Sequence, residues 1–338
     1  MRKAFLPLLF ALLVSVAQGQ ESFTVGVIDV YGLRTITGGE VRALLPFKEG
    51  DSVTPLLIPS RESEIAEALK VSRVEIELTC CHEPGVVVIY VGVEETPPLS
   101  SSYHAPPAGD AVLPREILET ADEIDTTMLA AIRIGRNNED WSQGHAFATD
   151  RAVRALQERY PAYAEEYRDR LLDVLRNSSH EEHRAIAASV MGYARDKKAI
   201  VLELERAVLD ASSGVRNNAT RALGVIATYA DEHPELDIAI DPDVYIDMLS
   251  SVSFGDRNKA SFVLSSLTST RDPKLMAQLR EKALPSLIEM CRWKVDGHSF
   301  SPCRLLERVV GLTEEDELHP KDRTIAMALE LLTSVSER

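Results

Sequence analysis

The sequence predicts an α+β chain: a small βααββ domain followed by an all-α helical-repeat domain. Three observations predict it. Phe23 to Tyr31 and Val74 to Val93 are rich in valine, isoleucine and tyrosine with partial period-two alternation, the mark of half-buried strands. Beyond Pro114 apolar residues recur every three or four positions between short polar turns, the mark of helices. Within that second part an Arg, Ala, Gly pattern returns at a fixed offset. With 338 residues, 45% of them hydrophobic and 27% charged, the chain has material for two globular domains.

Residues 1–19 read as a signal peptide. Arg2 and Lys3 give a positive start, Phe5 to Val16 an apolar run, and Ala17-Gln18-Gly19 small residues at −3 and −1 of a cleavage before Gln20. The expected location is periplasmic or secreted. The apolar run is too short to cross about 30 Å of hydrocarbon as a helix, and no later run approaches the length required. No membrane span is expected.

Residues 22–96 form the first domain. Phe23 to Tyr31 and Val74 to Val93 have strand composition, while Gly39 to Leu45 and Glu62 to Leu69 have helical spacing. His82-Glu83-Pro84-Gly85 splits the second strand region into a hairpin, because its Pro-Gly pair presets one φ and tolerates a positive one next. Residues 97–113, with Pro97, Pro98, Pro106, Pro107 and three serines at 100–102, read as a linker up to Pro114.

Val27-Ile28-Asp29-Val30-Tyr31-Gly32, Ile36-Thr37-Gly38-Gly39-Glu40-Val41, Lys48-Glu49-Gly50-Asp51, Ile65 to Val74 and Val87 to Glu94 together resemble a POTRA domain, the polypeptide-transport-associated module that precedes outer-membrane barrels. The resemblance implies one α/β module acting outside the inner membrane. Only one copy is present, and no barrel follows it.

Residues 114–338 form the helical domain. Arg184, Ala187 and Gly192 align with Arg216, Ala219 and Gly224, each 32 residues on, and Arg257 with Ala260 repeats the pattern more weakly. Cys303, Leu306 and Gly311 mark a degenerate fourth copy. Small residues at the repeated positions let helices approach closely, as stacked helical pairs require. Ser179 with Glu182, Asp272-Pro273 and Ser301-Pro302 are read as helix starts. The segment resembles HEAT repeats, particularly the short bacterial kind of phycobilisome-lyase-like proteins. That resemblance implies arginines that pair with an acid at a repeat turn, hence struts rather than ligand contacts.

Signatures of catalysis are missing from the sequence. It holds no Gly-Lys pair for a P-loop and no serine flanked by glycines for a nucleophile elbow. His180-Glu181-Glu182-His183 spaces its histidines three apart, whereas a zinc-protease helix needs four. Asn138 to His145 offers acid, amide, indole and imidazole groups, and Trp141 and His145 are the candidate binding-loop residues; the alternative is that Trp141 closes a gap between helices. Cys291 and Cys303 are candidate disulfide partners if neighbouring helices present them face to face, the alternative being four thiols. No cofactor or metal is expected.

A net charge of −16 and a pI near 5.0 oppose binding to nucleic acid or anionic lipid. The expected partners are proteins. The function expected is therefore a non-enzymatic, exported protein-interaction scaffold of the bacterial envelope. A chaperone-like accessory of outer-membrane protein assembly is the alternative, and a lyase-like enzyme a minor one.

Overall fold

The structure is a computed structural model that describes residues 22–54, 61–83, 85–95, 103–313 and 321–336. The expected signal peptide and the first part of the Pro/Ser-rich segment lie outside them. The chain divides into two compact units. The first joins the described residues up to 95 to Leu249–Arg257 and to those from Gln278 onward; the second comprises 103–248 and 258–277. The helical domain expected over 114–338 is thus shared between units, and the reason lies in the sheet.

In the first unit β1 (Phe23–Tyr31), β2 (Ser52–Val53), β3 (Arg73–Glu83) and β4 (Val86–Glu94) form one sheet in the order β2-β1-β4-β3. β1 runs parallel to β4, and β3 antiparallel to it. The crossover carries α1 (Gly38–Leu44), begun by a Thr37–Glu40 capping box, and α2 (Glu62–Leu69). The two-residue β2 was not expected, since so short a strand has no alternation to read.

β4, Val-Val-Val-Ile-Tyr-Val-Gly-Val-Glu, is buried at every position from Val87 to Val93, so both faces of this central strand need cover. On the face of Tyr90 and Gly92 that cover comes from late in the chain. Phe254 stacks on Tyr90 with ring centroids 3.7 Å apart, and Trp293 meets both Tyr31 and Tyr90 edge-on. A Cβ on Gly92 would sit 1.9 Å from the Val252 carbonyl oxygen, so only glycine admits this approach.

Polar groups fix the register of that packing. Tyr31 Oη donates to the Val252 carbonyl (2.7 Å), Gly32 N to Glu289 Oε1 (2.8 Å) and Lys294 N to Asp29 Oδ2 (2.9 Å). Glu77 on β3 accepts from Ser253 Oγ and Gly255 N, which places a carboxylate at the start of α11 (Phe254–Leu267). α13 (Leu284–Cys291) and α14 (Asp296–Val309) complete the layer. Cys291 and Cys303 join them as a disulfide, with Cα atoms 4.7 Å apart. Trp293, Lys294 and His298, three residues that grip the sheet, lie inside the loop it closes.

The free edge of β3 is occupied in its middle. Ile76 N donates to Glu62 Oε1 of α2 at 2.7 Å, and burial holds that carboxyl above its ordinary range. An edge strand with its outward N–H already bonded is a poor template for an added strand.

The second unit is built on helices: α3 (Arg115–Arg133), α4 (Arg151–Gln157), α5 (Tyr160–Glu166), α6 (Arg168–Asn177), α7 (Glu181–Met191), α8 (Lys198–Ala207), α9 (Ser213–Glu232) and α10 (Asp243–Met248), with the later part of α11 and the start of α12 (Pro273–Lys282). α6 packs on α7, and α7 and α8 on α9, as stacked helical pairs. Ala187, Ala219 and Ala260 are fully buried. A Cβ on Gly192 would meet Ala222 Cβ at 2.8 Å, and one on Gly224 would meet the Phe262 ring at 2.4 Å.

Three expectations need correction. The strands of the second part include one short hairpin, described below, where none was expected. Ser179 does not cap α7: its N–H bonds the Gly109 carbonyl (2.7 Å), and the helix begins after His180. Pro302 lies inside α14 rather than at its start, because burial of His298, Ser299 and Ser301 holds the preceding turn in place. Asp272, by contrast, caps α12, with Oδ1 accepting from Leu275 N at 2.9 Å.

Residues 103–113 of the expected linker are an ordered strap on the second unit. His104 N donates to the Leu209 carbonyl, Gly109 N to the Asn177 carbonyl, and Leu113 N to His183 Nδ1. Its prolines occupy positions that need no donor, so composition alone concealed the docking.

Candidate functional site

The candidate site grows from the Asn138–Thr149 loop of the second unit. β5 (Glu139–Asp140) and β6 (Phe147–Ala148) pair antiparallel, and Thr149 N closes the hairpin on the Asn138 carbonyl. Asp140 Oδ1 accepts from Ser142 N, and Gly144, at φ +71°, turns the chain back with its N–H on the Trp141 carbonyl. Gln157 of α4 binds Ala148 N at 2.7 Å.

Trp141 leans on Phe262 of α11, ring centroids 5.2 Å apart, and donates its indole N–H to Glu139 Oε2 (3.1 Å). Glu139 also pairs with Arg221 of α9, while Asp140 pairs with Arg154 of α4 at 3.1 Å. His145 is buried between Phe147 and Tyr193, whose hydroxyl donates to the Ala146 carbonyl. Its Nδ1 lies 3.1 Å from Lys197 Nζ, which also donates to the Gly192 carbonyl at 2.9 Å.

Burial shapes the charge of this cluster. It pushes the His145 imidazole down to about 4, with the Lys197 ammonium adding to the effect. Burial likewise brings Lys197 down to about 7 and, helped by Arg221, Lys259 of α11 down to about 7. Perturbed groups gathered at one place mark a site candidate. The adjoining cavity of about 20 Å³, lined by His145, Ser189, Asn218 and Arg221 among others, limits what it can hold. That space takes one water-sized guest.

The repeated arginines form a second constellation. Arg184 is buried and grips Asp210 with two bonds, Nε to Oδ2 at 2.9 Å and Nη2 to Oδ1 at 2.8 Å. Its Nη1 reaches the carbonyl of Ser178, six residues back. Arg216 reaches the carbonyl of Asp210, also six back, and lies 3.8 Å over the Tyr103 ring of the strap. In the first unit Arg257 binds the Ser251 carbonyl, again six back, and Glu289 Oε2 at 2.8 Å. Each arginine closes its own turn and then reaches a neighbouring group. These are struts.

Sequence reasoning did not find Lys197, Arg221, Lys259 or Asp210. A lysine beside a second lysine reads as a solvated face, and no spacing rule links Arg184 to an acid 26 residues later. His180 and His183 lie tilted against each other with ring centroids 5.2 Å apart, and His183 holds the strap. Among the described residues no group of three or more His, Cys, Asp or Glu side chains is placed to hold a metal ion.

The fold and its struts define a mixed α/β chain whose second unit is a stack of helical pairs. No protein-family model and no curated protein matches the sequence. Among solved structures the chain is similar to a designed armadillo repeat protein in complex with the peptide (KR)4, at 13% identity over 56% of this chain and 97% of that one. The TM-score of 0.36 makes this overlap too loose to carry an argument.

Proposed function

We propose that the chain is a non-enzymatic, exported protein-interaction scaffold of the bacterial cell envelope, with a POTRA-like sheet module and HEAT-like helical pairs. The observation that carries this reading is the strut network. Arg184 and Arg216 both end on Asp210, one on its side chain and one on its backbone, so successive helical pairs are tied at a single turn. Such ties stiffen a stack, and a stiff stack keeps its outer helix faces ready for a partner without ordering cost on binding. A net charge of −16 favours neutral or basic partner surfaces. With the β3 edge occupied by Glu62, the helical faces are the better docking ground.

Proximity labelling in the envelope, followed by pull-down on the immobilised full chain, tests the reading. One stable soluble partner is expected, with binding weakened by Leu202→Asp on α8, where Leu202 is 74% exposed, and thermal stability unchanged. Recovery of barrel precursors instead supports the assembly accessory. Sequencing of the mature N-terminus is expected to read from Gln20, and an unprocessed cytosolic chain overturns the location.

A further inference from the structure

The strap of residues 103–113 meets the second unit in step with its repeat. His104 N donates to the Leu209 carbonyl at 2.7 Å, and Gly109 N to the Asn177 carbonyl at 2.9 Å. Leu209 stands 32 residues after Asn177, as Arg216 does after Arg184. Each acceptor comes seven residues before its repeat arginine, and the arginine takes the next carbonyl, that of Ser178 or Asp210. Both acceptors fall where the first helix of a pair ends, α6 at Asn177 and α8 two residues before Leu209. Carbonyls at a helix end lack a donor within the helix. The turns of successive pairs therefore offer equivalent acceptors in a row, and a segment running against the order of the repeats meets one after the other.

The strap shows what such a segment needs. Its Tyr103 ring lies 3.8 Å from the guanidinium carbon of Arg216. Gly109 forms a parallel bridge with Ser178 and accepts from Ser179 N at 2.7 Å, and a Cβ at Gly109 would stand 2.6 Å from the Asn177 oxygen. Main-chain bonds supply affinity in this mode, and the side-chain fits supply selectivity. Yet the hold is shallow: no residue from 103 to 112 is buried, and Val112 is 45% exposed. A segment with few buried contacts and exposed backbone bonds belongs to the low-stability end of a fold. We propose that these turns form a peptide-binding ridge with the strap as its resident occupant. A partner protein displaces the strap with an extended segment that carries an aromatic residue six positions before a glycine. The ridge rests on the scaffold reading for the existence of a partner, and it names that partner's chemistry.

The test is fluorescence anisotropy of a labelled peptide of residues 101–113 added to the purified full chain. Gly109→Ala in the chain sets a methyl against the Asn177 carbonyl and lifts the strap without altering a helix. Saturable binding to that variant is expected. The unmodified chain is expected to bind at least about tenfold more weakly, because its own strap competes at an effective concentration on the order of 1 mM. Peptides carrying Tyr103→Ala or Gly109→Ala are expected to bind the variant chain at least about tenfold more weakly than the native peptide. Hydrogen exchange on the unmodified chain reads the strap if the variant does not fold, and the His104 and Gly109 amides are expected to exchange faster than those of α9. No binding to the variant chain, equal binding by all three peptides, or strap amides as slow as α9 overturns the ridge; an envelope partner that still depends on Leu202 then leaves the scaffold reading standing. Selective peptide binding with no envelope partner supports the ridge and places the failure on the scaffold reading alone.

Discussion

Replacing Asp210 by alanine should unfold the second unit more easily than any surface substitution, because Arg184 then keeps its charge in a pocket where its side chain is 2% exposed. Two charge-assisted bonds are lost, and only the Ser178 carbonyl still faces the guanidinium. Removing one partner of a buried pair costs about 3–5 kcal/mol. Ser212 N also loses its acceptor at Asp210 Oδ1, adding about 1 kcal/mol. If the cost is the orphaned charge, Arg184→Met in the same chain should recover all but about 1–2 kcal/mol. The two tryptophans fall one in each unit, Trp141 in the second and Trp293 in the first. In a Trp293→Phe background, urea unfolding followed by Trp141 fluorescence therefore reports the unit concerned. A loss below about 1 kcal/mol for Asp210→Ala, or a double variant no better than the single, would refute the strut argument.

Cys291→Ser with Cys303→Ser removes a link across a separation of 12 residues and should cost about 3 kcal/mol, read by Trp293 fluorescence in urea. Glu62→Ala frees the Ile76 N–H on the β3 edge; a loss of about 1 kcal/mol and concentration-dependent self-association in analytical ultracentrifugation are expected. The folded chain protonates His145 only near pH 4, whereas the unfolded chain does so near 6.5, so the unfolded state binds more protons between these values. Stability from this group is full above pH 6.5 and falls as pH drops towards 4, and His145→Phe should flatten that part of the urea-midpoint profile.

Local pattern made β1 and α2 legible, because Phe23–Tyr31 and Glu62–Leu69 carry their periodicities within a single element. The repeated arginines were legible for the same reason, each bonding a carbonyl six residues back. What escaped depends on distant partners. Phe254 and Trp293 look like ordinary helix core residues until the second face of β4 requires them. Ser179 carries a capping signature that a bond to Gly109 overrides. The candidate site is a chance convergence of Lys197, Arg221 and Lys259 on one loop, each on a different part of the helical stack. Only His145 and Trp141 stood out, as rare residue types in a polar stretch.

The sheet is written in the first hundred residues, yet the side chains that cover Tyr31 and Tyr90 come from Leu249–Arg257 and from beyond Gln278. A chain made from its N-terminus forward completes its second unit before its first. Until residues near 300 emerge, the strand with the most apolar surface waits uncovered, and the contacts that finish it span more than 200 residues, as between Tyr90 and His298. Deleting the last helices should therefore unmake the beginning of the protein.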